Sequence, residues 1–155
     1  MLNIGDKAPD FTLPETDGEA VTLSSLKPSP VVLFFYPRDN TKGCTVEAID
    51  FTNAKSEFDA AGVKVFGISK DSLKSHANFR DKKELTVPLL SDEENTVCED
   101  YGVWAEKSMY GKKFFGIVRT TVLIDADGNV AKVWNRVKVP GHVDEVLAAA
   151  KELTA

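Results

Sequence analysis

Short apolar runs alternate with amphipathic stretches along this chain, and the alternation predicts its elements. Val31-Val32-Leu33-Phe34-Phe35-Tyr36 is apolar throughout, the pattern of a strand covered on both faces, and it stops at Pro37. Lys64-Val65-Phe66-Gly67-Ile68-Ser69 predicts the next strand. Between them Ala48, Phe51, Ala54 and Phe58 recur along one helical face. A helix therefore runs from Cys44 to about Ala61 and stops at Gly62. Asp71 or Ser72 can cap a second helix through about Lys82, and Leu89-Leu90 is a short apolar piece. A helix is predicted from Glu93 to Tyr101, ending at Gly102. Arg119 to Ile124 and Asn129 to Trp134 read as a hairpin around Asp125-Ala126-Asp127-Gly128. Val143 to Leu153 reads as a final amphipathic helix.

Upstream, Asp10 to Leu13 and Ala20 to Leu23 flank Thr16-Asp17-Gly18-Glu19, a small N-terminal β-hairpin with a glycine in its turn. Ser24-Ser25-Leu26 is a short helical turn, ended by Pro28 and Pro30. Strands alternating with helices and closing on a hairpin and a helix predict an α/β layered domain with a mixed sheet. No repeat, low-complexity tract or linker interrupts residues 1–155, so one domain is expected.

The chemistry centres on Cys44. It lies between the end of a strand and the start of a helix, with Arg38 and Lys42 close by in sequence. A helix N-terminus and nearby cations favour the thiolate, the form that attacks electrophiles. Gly43, Thr41 and Thr45 surround it rather than an apolar stripe, so the segment is expected at a surface. Buried free cysteines are ordinarily inert, but this setting favours a reactive thiol.

Composition narrows the alternatives. Net charge is −5, with 24 acidic and 19 basic side chains, and the basic ones are scattered, which excludes a nucleic-acid footprint. No apolar stretch approaches the roughly 20 residues needed to cross a bilayer. The first residues show no basic and apolar leader pattern, so a cytoplasmic protein is expected. Two cysteines are too few for a disulfide scaffold, and with only His76 and His142 they give no metal-ligand spacing, so neither metal nor cofactor is expected.

Pro37, Thr41 and Cys44 form P-x-x-x-T-x-x-C, which resembles the signature of the peroxiredoxins. Phe35 to Phe51 is similar to the PrxQ, or bacterioferritin comigratory protein, subfamily, as are Pro88 to Trp104 and Arg119 to Val130. The resemblance implies a thioredoxin-like fold with an N-terminal extension. It also implies a thiol peroxidase that reduces hydrogen peroxide and organic hydroperoxides through a Cys44 sulfenic acid. Thr41 would contact substrate; read by spacing alone it is equally a loop or N-cap threonine. Pro37 would shield the thiolate, Gly43 would support it, and Arg119 would stabilise thiolate and peroxide with its fixed fork of donors. Arg38, Lys42 and Arg136 are weaker candidates for the cation. Glu47 either orients Arg119 or simply favours the helix N-terminus.

The chain departs from the subfamily at position 49. Many PrxQ-type proteins carry a resolving cysteine five residues after the first, and here it is Ile49. Cys98 is the other thiol and reads as a buried helical residue packed under the sheet. A one-cysteine cycle is expected, with thioredoxin, glutaredoxin or glutathione as reductant and the protein a monomer. Two alternatives remain: Cys98 as the resolving thiol, and a non-enzymatic peroxide sensor or holdase. A disulfide oxidoreductase would need C-x-x-C, which is absent.

Overall fold

Two short strands, β1 (Thr12–Leu13) and β2 (Val21–Thr22), pair antiparallel with Thr12 opposite Thr22, giving the expected hairpin. The computed structural model describes residues 2–16 and 18–155, so Asp17 of the expected turn lies outside the described residues. A 3-10 turn over Leu23–Leu26 follows. The main sheet then collects β3 (Val31–Phe35), β4 (Lys64–Ser69), β5 (Leu89–Ser91), β8 (Thr120–Ile124) and β9 (Val130–Trp134) in the order β5-β4-β3-β8-β9. β3, β4 and β5 run parallel, while β8 and β9 are antiparallel to their neighbours. The helices are α1 (Lys42–Ala60), α2 (Leu73–Lys83), α3 (Val97–Asp100) and α4 (His142–Thr154).

The all-apolar β3 is explained by its central place. Val32, Phe34 and Tyr36 point into one core, with Ala48, Phe51 and Phe58 of α1 and Val146 and Ala150 of α4. Val31, Leu33 and Phe35 point into the other, with Leu13, Ile68, Cys98 and Tyr101. Phe34 stacks on Phe51 with ring centroids 4.4 Å apart, which fixes α1 across the sheet. Each such buried side chain contributes roughly 1.5–3 kcal/mol, so both faces of β3 anchor the fold.

Three findings differ from the pattern-based reading. Residues 93–96 are not helical, and α3 is a single turn. The cause is Asp92, whose carboxylate accepts from the N–H groups of Val97 and Cys98 and so starts the helix there. A separate hairpin also appears, β6 (Trp104–Met109) with β7 (Lys112–Ile117). Its turn holds Tyr110 and Gly111 at φ 53° and 78°, the left-handed pair a two-residue hairpin turn requires. Finally, Cys44 is not at the surface but 1 % exposed.

Candidate active site

β3 ends at Phe35, opposite Thr120, the first residue of antiparallel β8. This register sets the segment before β8 beside the segment after β3. Cys44 and Arg119, 75 residues apart, therefore meet. Arg119 Nη2 donates to Cys44 Sγ at 3.3 Å, and its Nη1 donates to Glu47 Oε1 at 2.7 Å. Glu47 and Cys44 thus contact different nitrogens of one guanidinium.

Gly43 makes that approach possible. A Cβ at this position would stand 3.1 Å from Arg119 Nη2. Thr41 occupies the N-cap of α1, yet its side chain does not cap the helix. Its hydroxyl donates instead to Arg38 O at 2.9 Å, leaving the oxygen lone pairs as acceptors. By helix geometry the N–H groups of Lys42, Gly43 and Cys44 have no intrahelical partner, so fixed donors stand at the helix end that carries Cys44. Pro37 is half-buried between β3 and this loop, while Arg38 and Lys42 are exposed and lie outside the thiol's contacts.

Electrostatics concentrate on Glu47. Its carboxyl is fully buried, and Oε2 has no hydrogen-bond partner among the described residues. Burial pushes it up to about 7 against the pull of Arg119, with Asp50 adding a little. Arg119 is the reciprocal case: burial works against its charge, but Glu47 and Cys44 raise it above the ordinary arginine range.

A second polar cluster steadies the loop from below. Asp39 accepts from Tyr36 Oη at 2.7 Å and Ser75 Oγ at 2.8 Å, and it meets His76 Nδ1 at 2.8 Å. Its own N–H donates to Asp71 Oδ2, which also accepts from Ser69. Burial opposes the Asp39 charge, but His76, Tyr36 and Ser75 together hold it below the usual carboxylate range. Asp39, Asp71 and His76 bring potential metal-ligand atoms within 4.8 Å of one another. Their hydrogen bonds to each other already use those atoms. This cluster was not visible in sequence, because its members come from the loop, β4 and α2. His142 is likewise buried, bonds Thr121 Oγ1 through Nε2, and burial pushes it down to about 4, so it is neutral at pH 7.

Cys98 sits on the other side of the sheet. Cys44 belongs to the core containing Phe34, and Cys98 to the core containing Phe35. Burial and the nearby Asp92 carboxylate push the Cys98 thiol far above the ordinary range, which suppresses its thiolate. Ile49 packs against the Cys44-side core.

Known proteins are similar to this chain in sequence and fold. The AhpC/TSA family matches residues 4–133. A putative peroxiredoxin bcp of Coxiella burnetii is 53 % identical over 146 residues, covering 94 % of this chain and 97 % of that protein. The peroxiredoxin Bcp of Escherichia coli is 45 % identical over 151 residues, covering 97 % of each. Among solved structures, peroxiredoxin Q of Xanthomonas campestris superposes with a TM-score of 0.88 at 43 % identity, covering 94 % of this chain and 92 % of that one. A cysteine-to-serine mutant of Xylella fastidiosa PrxQ gives 0.92 at 37 % identity, covering 98 % and 97 %. Their fold is the thioredoxin-like one, with the same mixed sheet and helices. The chain belongs to the AhpC/TSA family and, within it, to the PrxQ/Bcp peroxiredoxins, which are thiol peroxidases.

Proposed function

We propose that Cys44 is the peroxidatic nucleophile and that residues 1–155 work as one catalytic domain. The contact between Arg119 Nη2 and Cys44 Sγ, at the start of α1, carries this reading. The Cys44 thiolate attacks one oxygen of the hydroperoxide along the O–O axis. The S–O bond forms as the O–O bond breaks, and the departing oxygen leaves as hydroxide or alkoxide. It takes up the proton that the thiol gave to solvent, so one thiol and one ROOH yield Cys44–SOH and ROH. Arg119 and the free N–H groups of α1 stabilise the charge moving between sulfur and the two oxygens. Thr41 Oγ1, already a donor to Arg38 O, accepts from the peroxide O–H and aligns it. Glu47 is a positioning residue that acts through Arg119, and Pro37 contributes no N–H to compete near the sulfur.

Resolution is assigned to an external thiol. With Ile49 at the position noted above and Cys98 in the opposite core, the chain offers Cys44 no neighbouring sulfur. A first thiol R′SH condenses with Cys44–SOH to a mixed disulfide and water. A second releases Cys44–SH and R′SSR′. Thioredoxin, glutaredoxin or glutathione fits this role. Because Cys44 is 1 % exposed, the first turn of α1 must open for such a thiol to reach it. A cytoplasmic monomer completes the reading, the cytoplasm being where both free thiols stay reduced. A Xanthomonas campestris relative has been described for its alkyl peroxide reduction activity, which favours organic hydroperoxides among the substrates here.

Cys44→Ser tests the reading directly. Peroxide consumption with any of the three reductants is expected to vanish, with circular dichroism unchanged. Substantial turnover by that variant refutes the assignment. Turnover by the wild type also separates the enzyme from the sensor or holdase alternative, which predicts slow cycling with all three.

A further inference from the structure

A groove of about 510 Å³, far larger than hydrogen peroxide requires, is lined by Arg119, the residue that contacts Cys44. Three segments wall it: β6 around Lys107, Val118 with Arg119, and Arg136 with Val137 after β9. They are tied together by backbone bonds, Val118 N to Val103 O at 2.7 Å and Val137 N to Arg119 O at 3.0 Å. The groove is thus walled by fixed backbone.

Its charge is unusual for this chain. Three cations line it in a protein of net charge −5. Arg119 is committed to Glu47 and Cys44. Lys107 and Arg136 have no carboxylate partner among the described residues. The one acid in the wall, Glu106, stands on the opposite face of β6 from Lys107 and pairs with Lys113 at 3.8 Å. Lys107 is half-buried, its stem lying over Gly116, 3.5 Å from where a Cβ would sit. Burial and the Arg119 guanidinium both press its ammonium below the ordinary lysine range, while the Cys44 sulfur draws it upward. A lysine so placed bears desolvation and a like charge that the Cys44 sulfur offsets only in part, since its ammonium still lies below the ordinary range.

We propose that the space between Lys107 and Arg136 is a carboxylate subsite, holding a carboxylate of the reactant that meets Cys44. That reactant is a carboxylate-bearing hydroperoxide or a carboxylate-bearing small thiol; both present the same group to the same two cations. The proposal rests on Cys44 being the reacting sulfur. Arg136 supplies a planar fork and Lys107 a point charge, a pair that holds a carboxylate from two sides.

The experiment has two arms, each comparing an acid with its neutral ester. In the first, stopped-flow oxidation of reduced protein is followed with a fatty-acid hydroperoxide and with its methyl ester. In the second, reduction of the Cys44 sulfenic acid is followed with glutathione and with glutathione diethyl ester at the same thiolate concentration. The readout is the ratio of second-order rate constants, acid over ester, for wild type, Lys107→Met, Arg136→Met, the double variant and Lys107→Glu. Lys64→Met, at the far end of β4, controls for net charge. In the arm that identifies the reactant, the wild-type ratio exceeds one. It falls about threefold to fivefold with each single variant, as for a partly exposed ion pair, and reaches about one in the double variant. Lys107→Glu inverts it, and added salt compresses it. Ratios of one in both arms for the wild type, or a ratio the double variant does not move, overturn the subsite while leaving Cys44 in place. Failure of every peroxide to oxidise Cys44 overturns the reading of Cys44 and the subsite with it.

Discussion

Replacing Arg119 by methionine keeps most of the aliphatic stem and removes both donors. One of these sits 3.3 Å from Cys44 Sγ and the other 2.7 Å from Glu47 Oε1. Loss of one preorganised donor aimed at developing charge costs on the order of 100–1000-fold in rate. A fall of that size is expected in the second-order constant for peroxide, measured by stopped flow with Cys44 reduced. Stability should change with a recognisable pH dependence. At pH 8 the Glu47 carboxylate loses its partner in a fully buried site, and breaking a buried pair costs about 3–5 kcal/mol. At pH 5 Glu47 already holds a proton, because burial pushes it up to about 7, so the loss should be smaller. Arg119→Lys restores charge but cannot span both partners, so it should recover only part of the rate. A peroxide rate in Arg119→Met equal to the wild type would show that the 3.3 Å contact is incidental, and the mechanism built on it would fall.

Glu47→Gln isolates the pH term. In the folded protein Glu47 titrates at about 7, against 4.5 for the unreserved carboxyl, so the unfolded chain ionises first as pH rises. Its contribution therefore falls from pH 4.5 to pH 7 by about 3 kcal/mol and is level above. Urea titrations across that range should show the wild type losing stability relative to Glu47→Gln, and parallel curves would contradict the assignment. Stoichiometric peroxide should add one oxygen to Cys44, trappable by a sulfenic-acid reagent, with excess converting it to the sulfinic acid. Loss of two hydrogens with a Cys44–Cys98 crosslinked peptide in the mass spectrum would instead make Cys98 the resolving residue. Gly43→Ala removes a helix-weakening glycine, a gain of up to about 1 kcal/mol, but sets a methyl 3.1 Å from Arg119 Nη2. The peroxide rate should fall while Tm does not, and an undiminished rate would show that the guanidinium yields freely.

What the sequence made legible was local. β3 was readable because both of its faces are buried, which leaves no polar position in the run. The stop at Gly62 was readable because one residue sets it, φ being 75° there; the start of the second helix was narrowed to Asp71 or Ser72, and Ser72 Oγ accepts from Ser75 N. Cys44 was readable from its place between strand and helix. Its burial was not, because that depends on Arg119 and the core beneath α1 closing over it. The Cys44–Arg119–Glu47 contact needs the Phe35–Thr120 register, a long-range pairing that periodicity does not encode, and only family resemblance pointed to Arg119.

The β6–β7 hairpin escaped for a different reason. Its strands mix lysines with exposed Met109, Phe114 and Phe115, so neither a period of two nor a buried run stands out, and Tyr110-Gly111 is a less familiar turn pair than Asn-Gly. Yet that hairpin carries Lys107 to the mouth of the site. The family-like string around Cys44 supplies the sulfur, and on the proposed subsite the weakly patterned hairpin shapes what can approach it. A strand that need not pack a core on both faces is free to carry cations and exposed aromatics. On the proposed subsite, Lys107, which no periodicity singled out, discriminates between reactants together with Arg136, which the sequence offered only as a weaker candidate cation.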